Sequence, residues 1–265
     1  MTTTLAALLL IAAVSAEPPL NPQETQWRGL IDAKEPAKAK ALCGGWLSSS
    51  EKALKVEAHK CLASLAVGDG EIDPALKELE AALALAPEDL AAHEARLQIA
   101  EGARRFSELP KYLEKSLKVY PNKDGLEAWL DISAGLLDEE RYDEGLAYMK
   151  VLEKKFPKDH RVIANLGTFL AAAERRAEAL PYLKRAAAMQ PDDALDNWNL
   201  GKLYDELGKT ELADKFYKKS LSLTAEPEQK KESYCLYAEF LKKRKKPGAA
   251  AYEKAHCPGG LPDED

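Results

Sequence analysis

Residues 197–204 read Asn-Trp-Asn-Leu-Gly-Lys-Leu-Tyr, and the Asn-Leu-Gly at 199–201 already occurs 34 residues earlier, at 165–167. Prolines keep the same beat: Pro87, Pro121, Pro157, Pro191 and Pro227 are spaced 34, 36, 34 and 36. A period of that length marks a chain built from stacked copies of one supersecondary unit, each too small to bury its own apolar face. Between prolines the apolar residues recur at helical spacing. Trp129, Ile132, Leu136 and Leu137 make one stripe, Leu146, Met149 and Leu152 a second, and the polar stretch 139–143 separates them. Each copy therefore predicts two amphipathic helices closed by a proline. Small residues recur twelve positions apart where the helices of a pair should meet: Gly167 and Ala179, Gly201 and Ala213, Ser133 and Gly145, Ala63 and Ala75. They predict close backbone approach, with Leu and Tyr filling the space beside them.

The 265 residues carry a net charge of −6, and 46% are hydrophobic. That balance predicts an ordered chain, and a pI near 5.5 argues against nucleic acid as a partner. The one basic run, Lys242-Lys243-Arg244-Lys245-Lys246, falls at the end of a predicted helix and reads as a solvated terminus complementing the helix dipole. Residues 5–14 are an unbroken apolar run closing in Val14-Ser15-Ala16 ahead of Glu17. This is the length of a secretory leader with a small-residue cleavage site, although residues 2–4 add no Lys or Arg, and it is too short to span a bilayer. The expectation is a signal peptide at 1–16, no stable membrane span, and export to a bacterial periplasm or the outside.

Export makes the four cysteines candidate disulfides. Cys235 and Cys257 flank the break at Lys245-Lys246-Pro247, and a hairpin centred at 246 sets them opposite each other. Cys43 and Cys61 likewise flank the serine turn at 48–50. They read as two staples, one near each end of the repeat array.

The stretch 197–204, continued by Ala213, Phe216, Tyr217 and Ser220, resembles the tetratricopeptide repeat family. So does Asn165-Leu166-Gly167 with Ala179, Leu183, Ala186 and Pro191. The resemblance implies an all-α fold, a right-handed α-α superhelical solenoid of helix hairpins. Its units fall at about 56–89, 90–123, 126–159, 160–193 and 194–229, with a shortened sixth at 230–257. In the unit from 90, Arg96 replaces the expected leucine, and Leu97 and Leu109 replace the small facing pair, which predicts a local slip. Residues 17–55 are expected as an atypical helical cap and 258–265 as a disordered acidic tail.

Reactive chemistry is sparse. The sequence has no His/Cys cluster at metal-ligand spacing, no phosphate-binding glycine loop and no nucleophile elbow. His59 and His93 fall at packing positions, and Glu139-Glu140 and Asp192-Asp193 read as turn and capping residues. The chain is expected to be no enzyme, with neither cofactor nor metal. By the resemblance, first helices line a concave groove for a protein or peptide, here through Leu130, Ala134, Arg161, Asn165, Thr168, Leu195, Trp198, Asn199, Lys202 and Tyr234. Trp198 reads either as a binding hot spot or as packing against a neighbouring helix. The family's clamp for a C-terminal carboxylate is incomplete: Lys60 would supply one member, but Ser64 and Ala95 occupy asparagine positions. The leading expectation is an exported scaffold that assembles or stabilises a cell-envelope complex. Its alternatives are a cytosolic regulatory or chaperone-like adaptor and an accessory subunit of an enzyme supplied in trans. The sequence does not fix the oligomeric state.

Overall fold

A computed structural model describes residues 21–120, 122, 125–225 and 227–257. The expected leader at 1–16 and tail at 258–265 lie outside the described residues. Among the described residues the fold is all-α, and helix follows helix without a strand: α1 (Pro22–Asp32), α2 (Pro36–Leu47), α3 (Lys52–Gly68), α4 (Ile72–Leu85), α5 (Leu90–Gly102), α6 (Leu109–Val119), α7 (Leu126–Asp138), α8 (Tyr142–Lys155), α9 (His160–Ala172), α10 (Arg176–Met189), α11 (Ala194–Glu206), α12 (Thr210–Leu223), α13 (Pro227–Lys243) and α14 (Ala249–His256). The chain divides within α8 into two compact units, Met1–Val151 and Leu152–Asp265.

Two local devices punctuate these helices. Helices α1, α5, α9 and α11 start on side-chain caps: Asn21, Asp89, Asp159 and Asp193 accept backbone N–H bonds at 2.7–3.1 Å, satisfying donors that the first turn leaves orphaned. Every odd-numbered helix from α1 to α13 ends in one turn type, with a left-handed residue at Lys34, Gly70, Arg104, Glu140, Glu174, Gly208 or Lys245. The following N–H reaches back to the carbonyl five residues earlier, as in Arg105 to Ala100 at 2.7 Å and Arg175 to Leu170 at 2.8 Å. That is the Schellman closure. The α1–α2 pair closes in the same way as the later pairs, so this part of the expected cap is built on the repeat's own plan. The two acidic pairs take the two roles expected of them: Asp193 caps α11, and Glu139 and Glu140 lie in the turn that closes α7.

In the first unit, Trp27 covers Cys43 and Cys61, whose disulfide joins α2 to α3, and Ile31, Trp46 and Leu65 pack around them. Further along, Ala63 and Leu79 pack with Val56, Ala82, Leu83 and Ala92. The slip expected in the pair from residue 90 is visible. Leu97 and Leu109 are both fully buried, and α6 has 11 residues, its approach taken by a 3-10 turn at Phe106–Glu108. Two leucines need more room than two small residues, so α6 engages later. Arg96, at the leucine position, is 2% exposed, and its guanidinium lies 4.5 Å from the centre of the Tyr112 ring. Burial pushes its pKa down. His93 is the satisfied core histidine anticipated above, with Nε2 3.0 Å from the Pro87 carbonyl.

In the second unit the small residues do bring backbones together. A β-carbon on Gly167 would meet Leu183 at 2.7 Å, and one on Gly201 would meet Tyr217 at 2.9 Å. A second disulfide joins Cys235 of α13 to Cys257, just beyond α14. The basic run is solvated at Lys242, Lys243 and Lys245, as expected of a helix end, but it also makes ion pairs. Arg244 donates to the Asp205 carboxylate at 2.5 Å and to its carbonyl at 2.6 Å, Lys246 to Glu211 at 2.5 Å, and Lys242 to Glu253 at 2.5 Å. The run binds the end of α13 to α11, α12 and α14.

Candidate functional site

The second unit places α9 against α11, and these helices carry most of the residues singled out in the sequence. Leu195, in the first turn of α11, is 67% exposed, more than any other large hydrophobic side chain among the described residues. One turn on, Trp198 is half-buried, its ring 4.7 Å from Tyr217 of α12. Tyr217 itself meets Phe240 at 5.0 Å and Tyr237 at 6.1 Å. Trp198 thus rests on a buried aromatic stack that fixes it while leaving part of the indole open. Trp198 packs within its own helix pair and stays partly exposed.

Beside this apolar pair come groups that hydrogen-bond. Asn199 is half-buried and Lys202 exposed. On α9, Arg161 lies 3.5 Å from Asp159, Asn165 is half-buried, and the Thr168 hydroxyl donates to the Ala164 carbonyl at 3.1 Å. The starts of the two helices are tied by a short hydrogen bond between His160 and the buried Asp196. Burial raises the Asp196 pKa, opposed by that histidine. Asn197, where the repeat usually has an aromatic, is fully buried and donates to the carbonyls of Pro191 and Asp193 at 3.0 and 2.6 Å. An apolar anchor, an amide, a hydroxyl and two cations on one pair of helices make a surface suited to recognition.

The remaining candidates are placed elsewhere. Tyr234 turns toward α14, with ring centres 6.2 Å from Tyr252 and 4.9 Å from His256. In the first unit, Leu130 is 7% exposed and belongs to the core, while Ala134 is exposed. Lys60 is spent: it is 9% exposed and lies 2.9 Å from Glu57, 3.5 Å from Asp89 and 3.7 Å from Glu24. Glu57 also accepts from Asn21 at 2.7 Å and from the Trp27 indole at 3.2 Å. Burial works to lower the Lys60 pKa, but the Glu57 hydrogen bond and the charges of Asp89, Glu57 and Glu24 prevail and raise it. Sequence spacing gave no sign of this cluster, because its members come from three separate segments. Among the described residues no group of three His, Cys, Asp or Glu could hold a metal ion, and no helix is long and apolar enough to cross a membrane.

Residues 197–227, which include Trp198, Asn199 and Lys202, match the family model described as tetratricopeptide repeat. No curated protein matches the chain. Among solved structures, the C-terminal part of a TPR repeat-containing protein from Cytophaga hutchinsonii is similar over 89% of this chain and 96% of its own, at 15% identity and a TM-score of 0.58. It shows the fold to be an all-α array of helical repeats. The pilF protein of Pseudomonas aeruginosa is similar over 79% of this chain and 95% of its own, at 17% identity and a TM-score of 0.46. For MamA of Desulfovibrio magneticus RS-1 the figures are 64% and 94%, 17% and 0.44.

Proposed function

We propose that this protein is an exported, non-enzymatic repeat scaffold that holds a protein or peptide partner on the α9–α11 face of its second unit, in the assembly or stabilisation of a cell-envelope complex. The observation that carries the reading is Leu195, 67% exposed one turn from a fixed, partly open Trp198. An aromatic held from beneath loses little side-chain entropy when a partner covers it. The match of 197–227 to a tetratricopeptide repeat supports the choice of face. The two disulfides support export, since such bonds persist in oxidising compartments.

Two experiments test the proposal. A displayed peptide library is selected on wild type and on Leu195→Asp with Trp198→Ala, with circular dichroism confirming that both fold. Wild type should enrich a common motif that the double variant fails to bind. Equal enrichment by both would remove the face. N-terminal sequencing of protein from a secreting host should begin at Glu17, and an intact Met1 would remove the export reading.

A further inference from the structure

Two groups that burial leaves in need of a partner lie together in the first unit. Tyr148 of α8 is fully buried, and its hydroxyl has no hydrogen-bond partner among the described residues. Buried hydroxyls are almost always paired, so an orphan calls for an explanation such as a bound group. Burial pushes its pKa well up, and the charge that adds to the effect is that of Glu101, which sets the hydroxyl beside that carboxylate. Glu101 stands half-buried in the last turn of α5. Its carboxylate lies directly on the backbone of α7, because a β-carbon on Gly135 would collide with Oε1. Asp131 and Glu139, both exposed, stand four residues to either side of Gly135 on the same face of α7. Burial, and then the charges of Glu139 and Asp131, raise the Glu101 pKa. The joint between α5 and α7 therefore holds an anion where charge is disfavoured.

The chain's own cations are used elsewhere. Arg104 pairs with Glu139 at 2.5 Å and Arg141 with Glu144, and both guanidinium groups lie over the Phe106 ring, 5.5 and 5.2 Å from its centre. No lysine or arginine among the described residues pairs with Glu101. Outside them the sequence has a single one, Lys123, which precedes α7, and about 14 Å of helix separates the start of α7 at Leu126 from Gly135. We propose that this joint is a docking site for an arginine side chain of a partner protein, its guanidinium pairing with Glu101 and donating to the Tyr148 oxygen, with Asp131 at the entrance. A guanidinium is planar, carries five donors and is weakly hydrated, so one group can serve a carboxylate and a hydroxyl together. A lysine ammonium loses more hydration on entering a half-buried site. The hydroxyl is closed to water in the unbound chain; rotation of the Glu101 side chain toward the incoming guanidinium opens it, so one event supplies both missing partners. The site lies wholly in the first unit and stands apart from the reading of the α9–α11 face.

The test titrates the full chain, labelled with nitrogen-15, with three capped peptides: Gly-Arg-Gly, Gly-Lys-Gly and Gly-citrulline-Gly, the last matching arginine in shape without its charge. The Gly135 amide should shift most with the arginine peptide, less with lysine and not with citrulline. Glu101→Gln should weaken arginine binding about tenfold or more, and Tyr148→Phe about threefold. Tyr148→Phe removes only a buried, unpartnered hydroxyl, so its melting temperature should not fall, which separates lost binding from lost structure. No shift with the arginine peptide in wild type overturns the proposal, as does an equal shift with citrulline. Equal affinity for lysine reduces the joint to a patch of charge and overturns the guanidinium assignment. Unchanged binding by Tyr148→Phe means that water alone meets the hydroxyl, and overturns it as well.

Discussion

Adding one methyl group at Gly201 tests the close approach that small residues allow between paired helices in the second unit. A β-carbon built there lies 2.9, 3.1 and 3.2 Å from three carbons of the Tyr217 ring, where carbon atoms prefer about 3.5–4.0 Å. Tyr217 has nowhere to retreat, because Trp198 lies 4.7 Å away on one side and Phe240 5.0 Å on another. Overpacking of this kind costs about 1–3 kcal/mol, and alanine's helical preference over glycine returns about 1 kcal/mol. Gly201→Ala should therefore lose up to ~2 kcal/mol. Gly44 in α2 has nothing within 4 Å of a built β-carbon, so Gly44→Ala receives only the return and gains about 1 kcal/mol. The opposed signs are the prediction, since propensity alone would give both substitutions the same sign. Combining Gly201→Ala with Tyr217→Leu should show a favourable coupling of at least about 1 kcal/mol, because the ring that collides has gone. Urea unfolding followed by circular dichroism supplies midpoints and slopes for all five proteins, the Tyr217→Leu single variant included. A Gly201→Ala midpoint at or above wild type, or a coupling near zero, refutes the close-approach reasoning.

Four further outcomes are expected. Arg96→Leu, which restores the repeat's usual residue and removes a guanidinium whose Nε has no partner among the described residues, should raise the melting temperature, with a gain of about 1–2 kcal/mol; an unchanged or lower value contradicts the account of that pair. Replacing Cys235 and Cys257 together by serine opens a loop of 22 residues and should cost about 3 kcal/mol, seen as faster amide exchange in α13 and α14 with α9 and α10 unaffected. Glu174→Gly relieves a left-handed φ of 58° and should add about 1 kcal/mol, measured by the same urea titration. Finally, Lys60 has a folded pKa above its ordinary value, so its contribution is whole below the unfolded pKa of about 10.4 and is lost as pH rises through the folded one. Stability should fall from about pH 10 upward, and Lys60→Met, already weakened by leaving three carboxylates facing one another, should fall less steeply over that range.

The repeat, the helix pairs and the cysteine partners follow from the sequence because each is a local property. Helical periodicity is written into consecutive residues such as 126–138, and a hairpin turn fixes which cysteines can face each other. The slip at Leu97 and Leu109 is legible for the same reason, as a change of volume at a known place. Only the tertiary structure decided which of these surfaces stay open. Leu130 and Leu195 both lie early in first helices, yet one is core and the other 67% exposed, because exposure depends on what a neighbouring helix covers. Tyr234 packs against Tyr252 and His256 of α14, Lys60 disappears among carboxylates from three segments, and the basic run adds ion pairs to an exposed helix end. The turns make the same point: of seven left-handed closures only Gly70 and Gly208 carry glycine. The other five are imposed on Lys, Arg and Glu by the packing of the helices they join, which no reading of single positions reveals.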